Sequence, residues 1–388
     1  MNNTIKLGNF ISEYSVRNRA GDDIPVYSVT NKEGFCRDYF SKDVASQDRS
    51  TYKIVPRGCF AYNPSRINVG SVDWQRKEDR VIVSPLYVVF SVSKGLDQQY
   101  LYYYLKSEKC LYYIKELASG SVRDNLKLSM LKEFTIPNIT LEEQRKAVMV
   151  LEQTDRLIAL QERQMTVLDE LVKSRFVEMF GDPVSNPHGF EQVVLSQLAE
   201  IKIGPFGSLL HKEDYIEGGH PLLNPSHISE GRIVPDDKLT VSDSKYAEME
   251  AYHLHTGDIV MGRRGEMGRC AVVPDEGYLC GTGSLLIRTK GEVTADYLQK
   301  VISFPTFKKT IEDMAVGQTM PNLNVPIVSS FQIIKPPIDV QRRYYAFVAE
   351  VDKSKFRIQK SLSTSRKLWT MAQIDAIMNM DFSTQRSL

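Results

Sequence analysis

Nothing in these 388 residues reads as a membrane span or a disulfide framework. No apolar run approaches the roughly eighteen residues a membrane helix needs. The opening stretch, Met1 to Phe10, lacks the basic-then-apolar order of a signal peptide. Cysteine is scarce: Cys36, Cys59, Cys110, Cys270 and Cys280 are odd in number, scattered, and without a CxxC pair. That argues against a stapled secreted scaffold or a zinc site and predicts free thiols in a reducing cytoplasm. The charge excess is small too, a net +1. A general nucleic-acid binder is usually strongly basic, so any positive charge that serves binding must be concentrated locally. What remains, 42% hydrophobic and 25% charged residues, is the composition of a globular protein long enough for two or three domains.

The most informative feature is an internal repeat. Ala118, Gly120, Asn125, Leu126, Phe134, Ile136, Gln144 and Arg145 recur as Ala315, Gly317, Asn322, Leu323, Phe331, Ile333, Gln341 and Arg342, always 197 residues on. Tyr100-Leu101 and Tyr297-Leu298 share that offset. Earlier parts align with small insertions, such as Pro25 to Gly34 against Pro221 to Gly231, and Leu7 matches Leu195. Such an ordered series implies a duplicated unit of roughly 190 residues.

Within each unit, Gly, Pro, Asn and Ser separate short β-branched and aromatic runs. Arg80 to Ser84, Leu86 to Val92 and Cys270 to Val273 read as strands. Helices are expected over 98–117 and 295–314. The fold class predicted is α+β: two similar globular domains, 1–139 and 182–337, each followed by a long helix, 140–181 and 338–388, the second including a tail. Thr140 with Glu143 three residues on is a capping box, and Gly181-Asp182-Pro183 is a stop. Between them Ala147, Leu151, Thr154, Ile158, Gln161, Met165, Leu168, Val172, Arg175 and Met179 form an imperfect heptad seam. The second helix places Val348, Val351, Ile358, Leu362, Trp369 and Ala372 on its seam, with Lys355 and Ser365 as polar interruptions. Residues 140–182 hold nine acids and six bases, net −3, whereas 339–388 hold five acids and nine bases, net +4. Opposite charge favours antiparallel pairing of the two helices with each other; the alternative is that each packs only on its own domain.

Taken together, these residues resemble the DNA-specificity subunit of type I restriction–modification systems over nearly the whole chain. The carriers are Phe60 to Gly70, Gly120 to Leu126 with Ile136-Pro137 and Gln144, Arg175 to Pro183, Gly204 to Ser208, Gly257 to Val260 through Gly268, and Pro336 to Gln341. The resemblance implies two target-recognition domains, each reading one half of an asymmetric, interrupted double-stranded DNA site. It also implies two adenine-N6 methyltransferase subunits carrying S-adenosylmethionine, and motor-nuclease subunits using ATP and magnesium, as partners. This chain would hold no cofactor or metal and perform no catalysis. The spacing of the two half-sites would follow from helix length, since one DNA turn is ~34 Å and forty helical residues span roughly 60 Å.

Residue chemistry suggests where DNA is met. Asn and Gln suit adenine and Arg suits guanine in the major groove. In the first domain Asn63, Ser65, Arg66 and Asn68 lie in a Pro/Gly-bounded loop; the competing interpretation is a capped surface turn. In the second domain Arg263 and Arg264 lie between the glycines of the matching Gly262 to Gly268 loop, placed to approach phosphates closely, with Arg269 adjacent; a hairpin tip bearing solvated arginines is the competitor. Arg123, Gln318 and Thr319 align across the repeat as second-rank contacts on segments expected to enter a strand, and Ser208 and Lys212 (with Lys202 and His211) form a weaker group.

The same residues bear on two rival classes. An amino-methyltransferase needs Asp/Asn-Pro-Pro-aromatic, which neither Asn63-Pro64-Ser65-Arg66 nor Pro336-Pro337 completes, and no GxxxxGK[S/T] string serves a motor. Asp182 with Glu200 and Lys202 makes a permissive nuclease pattern, better explained by the helix stop. A coiled-coil adaptor would share the helices but not the polar loops at equivalent places. All six histidines lie in the second unit, where His253 and His255 read as loop residues. Tyr100, Tyr102, Tyr103, Tyr104, Tyr112 and Tyr113 read as a packed amphipathic helix rather than a stacking platform for single strands.

Overall fold

The structure is a computed structural model and describes residues 4–37, 49–118, 125–205, 209–315 and 322–377. The chain folds as two compact units, Met1–Gln164 with Ile358–Leu388, and Met165–Arg357. Each has its own core, and each has the α+β composition expected of a duplicated domain.

The first unit is built on an antiparallel sheet in the order Ile11–Glu13, Val88–Val92, Phe60–Tyr62, Val72–Trp74. The β-branched and aromatic runs that predicted strands supply its inner face. Phe60 and Phe90 pair across it with stacked rings 5.1 Å apart. The second unit repeats the design with Ala199–Ile203, Ser284–Thr289, Ile259–Gly262 and Cys270–Val272. The registers correspond: Phe60 faces Phe90 and Trp74 as Ile259 faces Ile287 and Val272. The isolated parallel bridge of Val26 with Ile82 is matched by a parallel strand pairing in the second unit, Leu222 with Leu279 and Leu223 with Cys280.

Closure of each domain is also duplicated. Thr4–Lys6 pairs with Thr135–Pro137, and Glu191–Val194 with Gln332–Lys335. Leu7 N–H donates to Phe134 O at 2.6 Å, and Leu195 N–H to Phe331 O at 2.8 Å. Beyond this frame the copies diverge. The second unit adds a five-stranded sheet around His220–Leu223 and Tyr278–Cys280 where the first has two-stranded ribbons.

The helices expected over 98–117 and 295–314 are each broken in two, Gln98–Leu105 with Glu108–Ala118, and Ala295–Ile302 with Pro305–Met314. Ser107 Oγ donates to Tyr104 O at 2.7 Å and accepts from Cys110 N–H at 3.2 Å, so it ends one helix and caps the next. In the second copy Pro305 takes the first turn of the new helix, where its missing N–H costs nothing. The tyrosines of the first pair are core residues: Tyr100, Tyr103 and Tyr104 are buried, and only Tyr112 is well exposed.

The long helices run over Leu141–Phe180 and Ile338–Ile377, forty residues each. The capping box forms, Glu143 Oε2 accepting from Thr140 N–H at 2.8 Å and Thr140 Oγ1 from Glu143 N–H at 3.3 Å. The first helix ends at Gly181, whose φ of +73° suits glycine and whose Cβ would strike Pro187. A fully buried glutamine fastens each helix start to its domain. Gln144 Oε1 accepts from Asp97 N–H at 2.8 Å, and Gln341 Oε1 from Thr294 N–H at 2.9 Å.

Within each unit the two helical segments run antiparallel. In the first, Asp155 and Gln373 both meet Tyr103, Gln161 Nε2 donates to Ser361 Oγ at 2.8 Å, and Arg366 pairs with Glu162 at 2.7 Å. Leu151 is fully buried with Trp369 packed into the same core, whereas Ile158, Ile358 and Leu362 are half-buried. In the second unit Lys355 pairs with Asp169, and Tyr344 OH donates to Val172 O at 3.2 Å. There Val351 is buried, and Met165, Leu168, Val172 and Val348 are half-buried. The two interhelical ion pairs join the acidic helix to the basic one, although exposed pairs of this kind stabilise by only about 0–1 kcal/mol each. Among the described residues no helix is long and apolar enough to cross a membrane.

Candidate nucleic-acid interface

Each sheet turns through a hairpin connection at the place where polar loop residues were expected. In the first domain residues 63–71 join Phe60–Tyr62 to Val72–Trp74. Asn63 organises the turn: its Oδ1 accepts from Ser65 N–H at 3.1 Å and from Ser65 Oγ at 2.9 Å, and its carbonyl accepts from Arg66 and Ile67 N–H. An amide whose acceptor is occupied inside its own loop is poorly placed for the paired donor–acceptor contact that adenine offers. The capped-turn interpretation therefore fits Asn63, and Ser65 shares in it. Ile67 is 1% exposed and anchors the loop in the core. Arg66 is exposed and Asn68 half-exposed, and neither side chain has a partner among the described residues. Val69 is 55% exposed at the tip, an apolar side chain available to a thymine methyl, and sequence reasoning centred on polar groups missed it.

The second domain repeats this loop with different chemistry. Residues 263–269 join Ile259–Gly262 to Cys270–Val272, and buried Met267 takes the anchoring role of Ile67. Both loops are tied to the same neighbour. Leu126 N–H donates to Pro64 O at 3.1 Å, and Leu323 N–H donates to Arg263 O at 3.0 Å. The polar partner of that segment also recurs, Tyr62 OH donating to Leu126 O at 3.1 Å and Arg263 Nε to Leu323 O at 3.0 Å.

The three arginines of this loop therefore differ. Arg263 is half-buried and spent on Leu323; burial and then neighbouring Arg264 pull its pKa below the usual arginine value. Arg269 is held by Glu266 at 2.9 Å and by Pro225 O at 3.3 Å. Glu266 also receives Lys308 at 2.7 Å, and these two cations, Lys308 first, hold its carboxyl below the usual range. Arg264 alone is exposed and unpartnered among the described residues. Lys212 is exposed in a short 3-10 turn, Lys212–Asp214.

Arg123, Ser208, Gln318 and Thr319 lie outside the described residues. The strand expected just beyond Arg123 is preceded by a short helix, Leu128–Lys132. Of the nuclease pattern, Asp182 Oδ1 accepts from Val184 and Ser185 N–H in the helix-stop turn, and Lys202 pairs with Glu200. His220 and His253 sandwich Tyr246, each ring 3.8 Å away, and His255 pairs with Glu276.

A domain present twice, each copy offering an anchored polar hairpin loop of different composition and each continued by a forty-residue helix, defines a duplicated recognition scaffold. The sequence profile of the type I restriction modification DNA specificity domain matches it twice, over residues 6–170 and 187–365. The chain belongs to that family. It is 25% identical over 301 residues to the type I restriction enzyme MjaIX specificity subunit of Methanocaldococcus jannaschii, covering 71% of this chain and 67% of the relative. The MjaVIII specificity subunit of the same organism is 21% identical over 75% of this chain and 73% of its own length. Among solved structures, a chain from a study of complex assembly and conformational transition of the type I R-M system shares the fold with a TM-score of 0.63 at 15% identity, 96% of each chain being covered. The type I S subunit from M. genitalium does so with a TM-score of 0.54 at 15% identity, over 97% of this chain and 96% of that one.

Proposed function

We propose that this chain is the non-catalytic reader of a type I restriction–modification complex and recognises an interrupted, two-part sequence in double-stranded DNA, one part with each domain. The observation that carries the reading is the hairpin loop found in both copies with the same main-chain tether and different exposed side chains. Two domains that keep the scaffold of a contact loop and vary its chemistry are what an asymmetric site requires, because base edges specify while phosphates position. On this reading Arg66, Asn68, Arg264 and Lys212 contact DNA directly. Asn63, Ser65, Arg263 and Arg269 shape the loops that present them. Arg123, Ser208, Gln318 and Thr319 remain candidates for DNA contact because of their place in the repeat.

The partners follow from the helices. Val150, Leu157, Leu160, Val167 and Leu171 are all exposed on the first long helix, at steps of seven, three, seven and four. That apolar stripe lies off the seam and suits the apolar face of a partner's helix. Its occupants are the two methyltransferase subunits, and the complex also recruits motor-nuclease subunits. S-adenosylmethionine, ATP and magnesium belong to those partners. Helix length sets the spacer between the half-sites.

Selection from random DNA tests this reading. The full chain, assembled with its methyltransferase subunits, is mixed with random duplexes and the bound fraction is sequenced. Two fixed blocks separated by a spacer of constant length are expected, and Arg264→Ala should weaken binding while both blocks persist. Binding with no enriched sequence would overturn the reading in favour of an adaptor.

A further inference from the structure

The second domain contains a cavity of about 620 Å³ beside the 263–269 loop. One wall is the back of that loop, Glu266 to Cys270. The others are the Ile228–Ile233 hairpin and the helices that carry Gln299, Lys300, Ser303 and Lys308. Four cations line it, Arg232, Arg269, Lys300 and Lys308, against two acids, Glu230 and Glu266, a net charge of +2. Glu266 is already engaged by Arg269 and Lys308. Arg232 and Lys300 have no carboxylate partner among the described residues. Lys300 is half-buried, and its pKa is pulled down by burial and then by the neighbouring Lys173. A half-buried lysine and an exposed arginine on the same cavity, both without a carboxylate partner among the described residues, mark a place that a bound anion would stabilise.

The first domain shows a different solution at the equivalent positions. Counting 197 residues back, Gln299 and Ser303 become Tyr102 and Lys106, and Val272 is in the register position of Trp74. There Trp74 and Tyr102 enclose the Arg76 guanidinium, 4.8 and 5.5 Å from the ring centres, and Lys106 lies 5.3 Å from the Tyr102 ring. Arg76 is paired with Asp73 at 2.9 Å. The first copy thus carries its own stacked, neutralised cation. The second has neither large aromatic nor the aspartate, and keeps positive charge around an open cavity.

We propose that this cavity is a phosphate-binding site of the second domain, with Lys300 and Arg232 holding the anion, and that the phosphate belongs to the DNA backbone flanking the half-site read by the 263–269 loop. Cations approaching from two walls suit a group with several acceptor oxygens. The shared wall with the loop that bears Arg264 makes the cavity an extension of the same DNA footprint. Among the described residues the equivalent positions of the first domain hold the stacked, paired Arg76 instead, so the two half-sites are gripped unequally. The inference rests on the DNA-reading function, and its test separates the two.

The test compares the salt dependence of specific DNA binding by the assembled complex carrying wild-type, Lys300→Gln, Arg232→Gln or Lys300→Arg chains. Each phosphate that is no longer neutralised lowers the slope of log affinity against log salt by about 0.9. Both glutamine variants should show that decrease, the wild-type advantage shrinking about threefold between 50 and 200 mM salt, while Lys300→Arg retains the full slope. Arg232 sits on an exposed hairpin, so its substitution keeps the test open if Lys300→Gln folds poorly. A parallel phosphorus NMR titration of inorganic phosphate with the chain free of DNA distinguishes the source. An unchanged slope with saturable phosphate binding that Lys300→Gln abolishes keeps the site but assigns it to a free phosphate. An unchanged slope with no phosphate binding overturns the proposal. If the wild-type complex shows no sequence-specific binding at all, it is the DNA-reading function that fails.

Discussion

Arg263 and Arg264 are adjacent, and the structure gives them opposite jobs that a pair of alanine substitutions can separate. Arg263 donates through Nε to Leu323 O at 3.0 Å and is half-buried. A hydrogen bond from a charged group contributes about 1.5–3 kcal/mol. Its loss leaves Leu323 O without that partner, while the main-chain bond from Leu323 N–H to Arg263 O is kept. For a unit of this size each kcal/mol moves Tm by roughly 2–4 °C, so Arg263→Ala should lower the Tm of the second unit by about 3–12 °C. Arg264 is exposed and unpartnered among the described residues, and surface changes of that kind fall within about 0.5 kcal/mol. Arg264→Ala should therefore leave Tm in place and instead remove about 0.9 from the salt slope of DNA binding. Calorimetry and a binding titration at three salt concentrations measure both quantities. The reverse pattern, a destabilised Arg264 variant with an intact slope, would refute the assignment of roles.

Gln341→Ala strips partners from Thr294 N–H and Pro336 O and should cost about 2–4 kcal/mol by denaturant unfolding; a loss below about 0.5 kcal/mol would remove Gln341 as the anchor of its helix. Glu266 has its pKa lowered below the ordinary 4.5 by Lys308 and Arg269. A depressed carboxyl stabilises above its unfolded pKa and loses that contribution as pH falls through its folded one. The 263–269 loop should accordingly keep its amide protection down to about pH 4.5 and lose it below; loss already near neutral pH would point to another group. All five cysteines are buried, and burial pushes Cys270 and Cys280 up to about 12, so a thiol reagent at mildly alkaline pH should label none of them quickly in the native chain. Deleting one heptad from both long helices should shorten the spacer of the recognised sequence. An unaltered spacer would mean that helix length does not set it.

The legible parts of this fold are those written into the chain more than once or enforced by local chemistry. The duplication shows because Gln144 and Gln341, or Phe134 and Phe331, perform the same buried task in both copies. The capping box at Thr140 and the stop at Gly181 are decided within four residues. The breaks at Ser107 and Pro305 are harder to read: the apolar pattern continues through them, and only a serine hydroxyl and a single proline interrupt it. The roles of the loop residues lie beyond local chemistry. Arg263 is structural because of Leu323, sixty residues on, and Asn63 is structural because its amide oxygen folds back on Ser65. The cavity cations are not legible in either domain alone. Their signal lies in the repeat, in the replacement of Tyr102, Tyr103 and Lys106 by Gln299, Lys300 and Ser303 at one offset. It resides in what differs between the copies rather than in what they share.

The measurement that bears most directly on the function is single-molecule sequencing of DNA methylation in the source cell with and without this gene. N6-methyladenine should disappear from one interrupted, two-part motif and be unchanged elsewhere. An identical methylome in both strains, with the methyltransferase partner expressed, would contradict the proposed function.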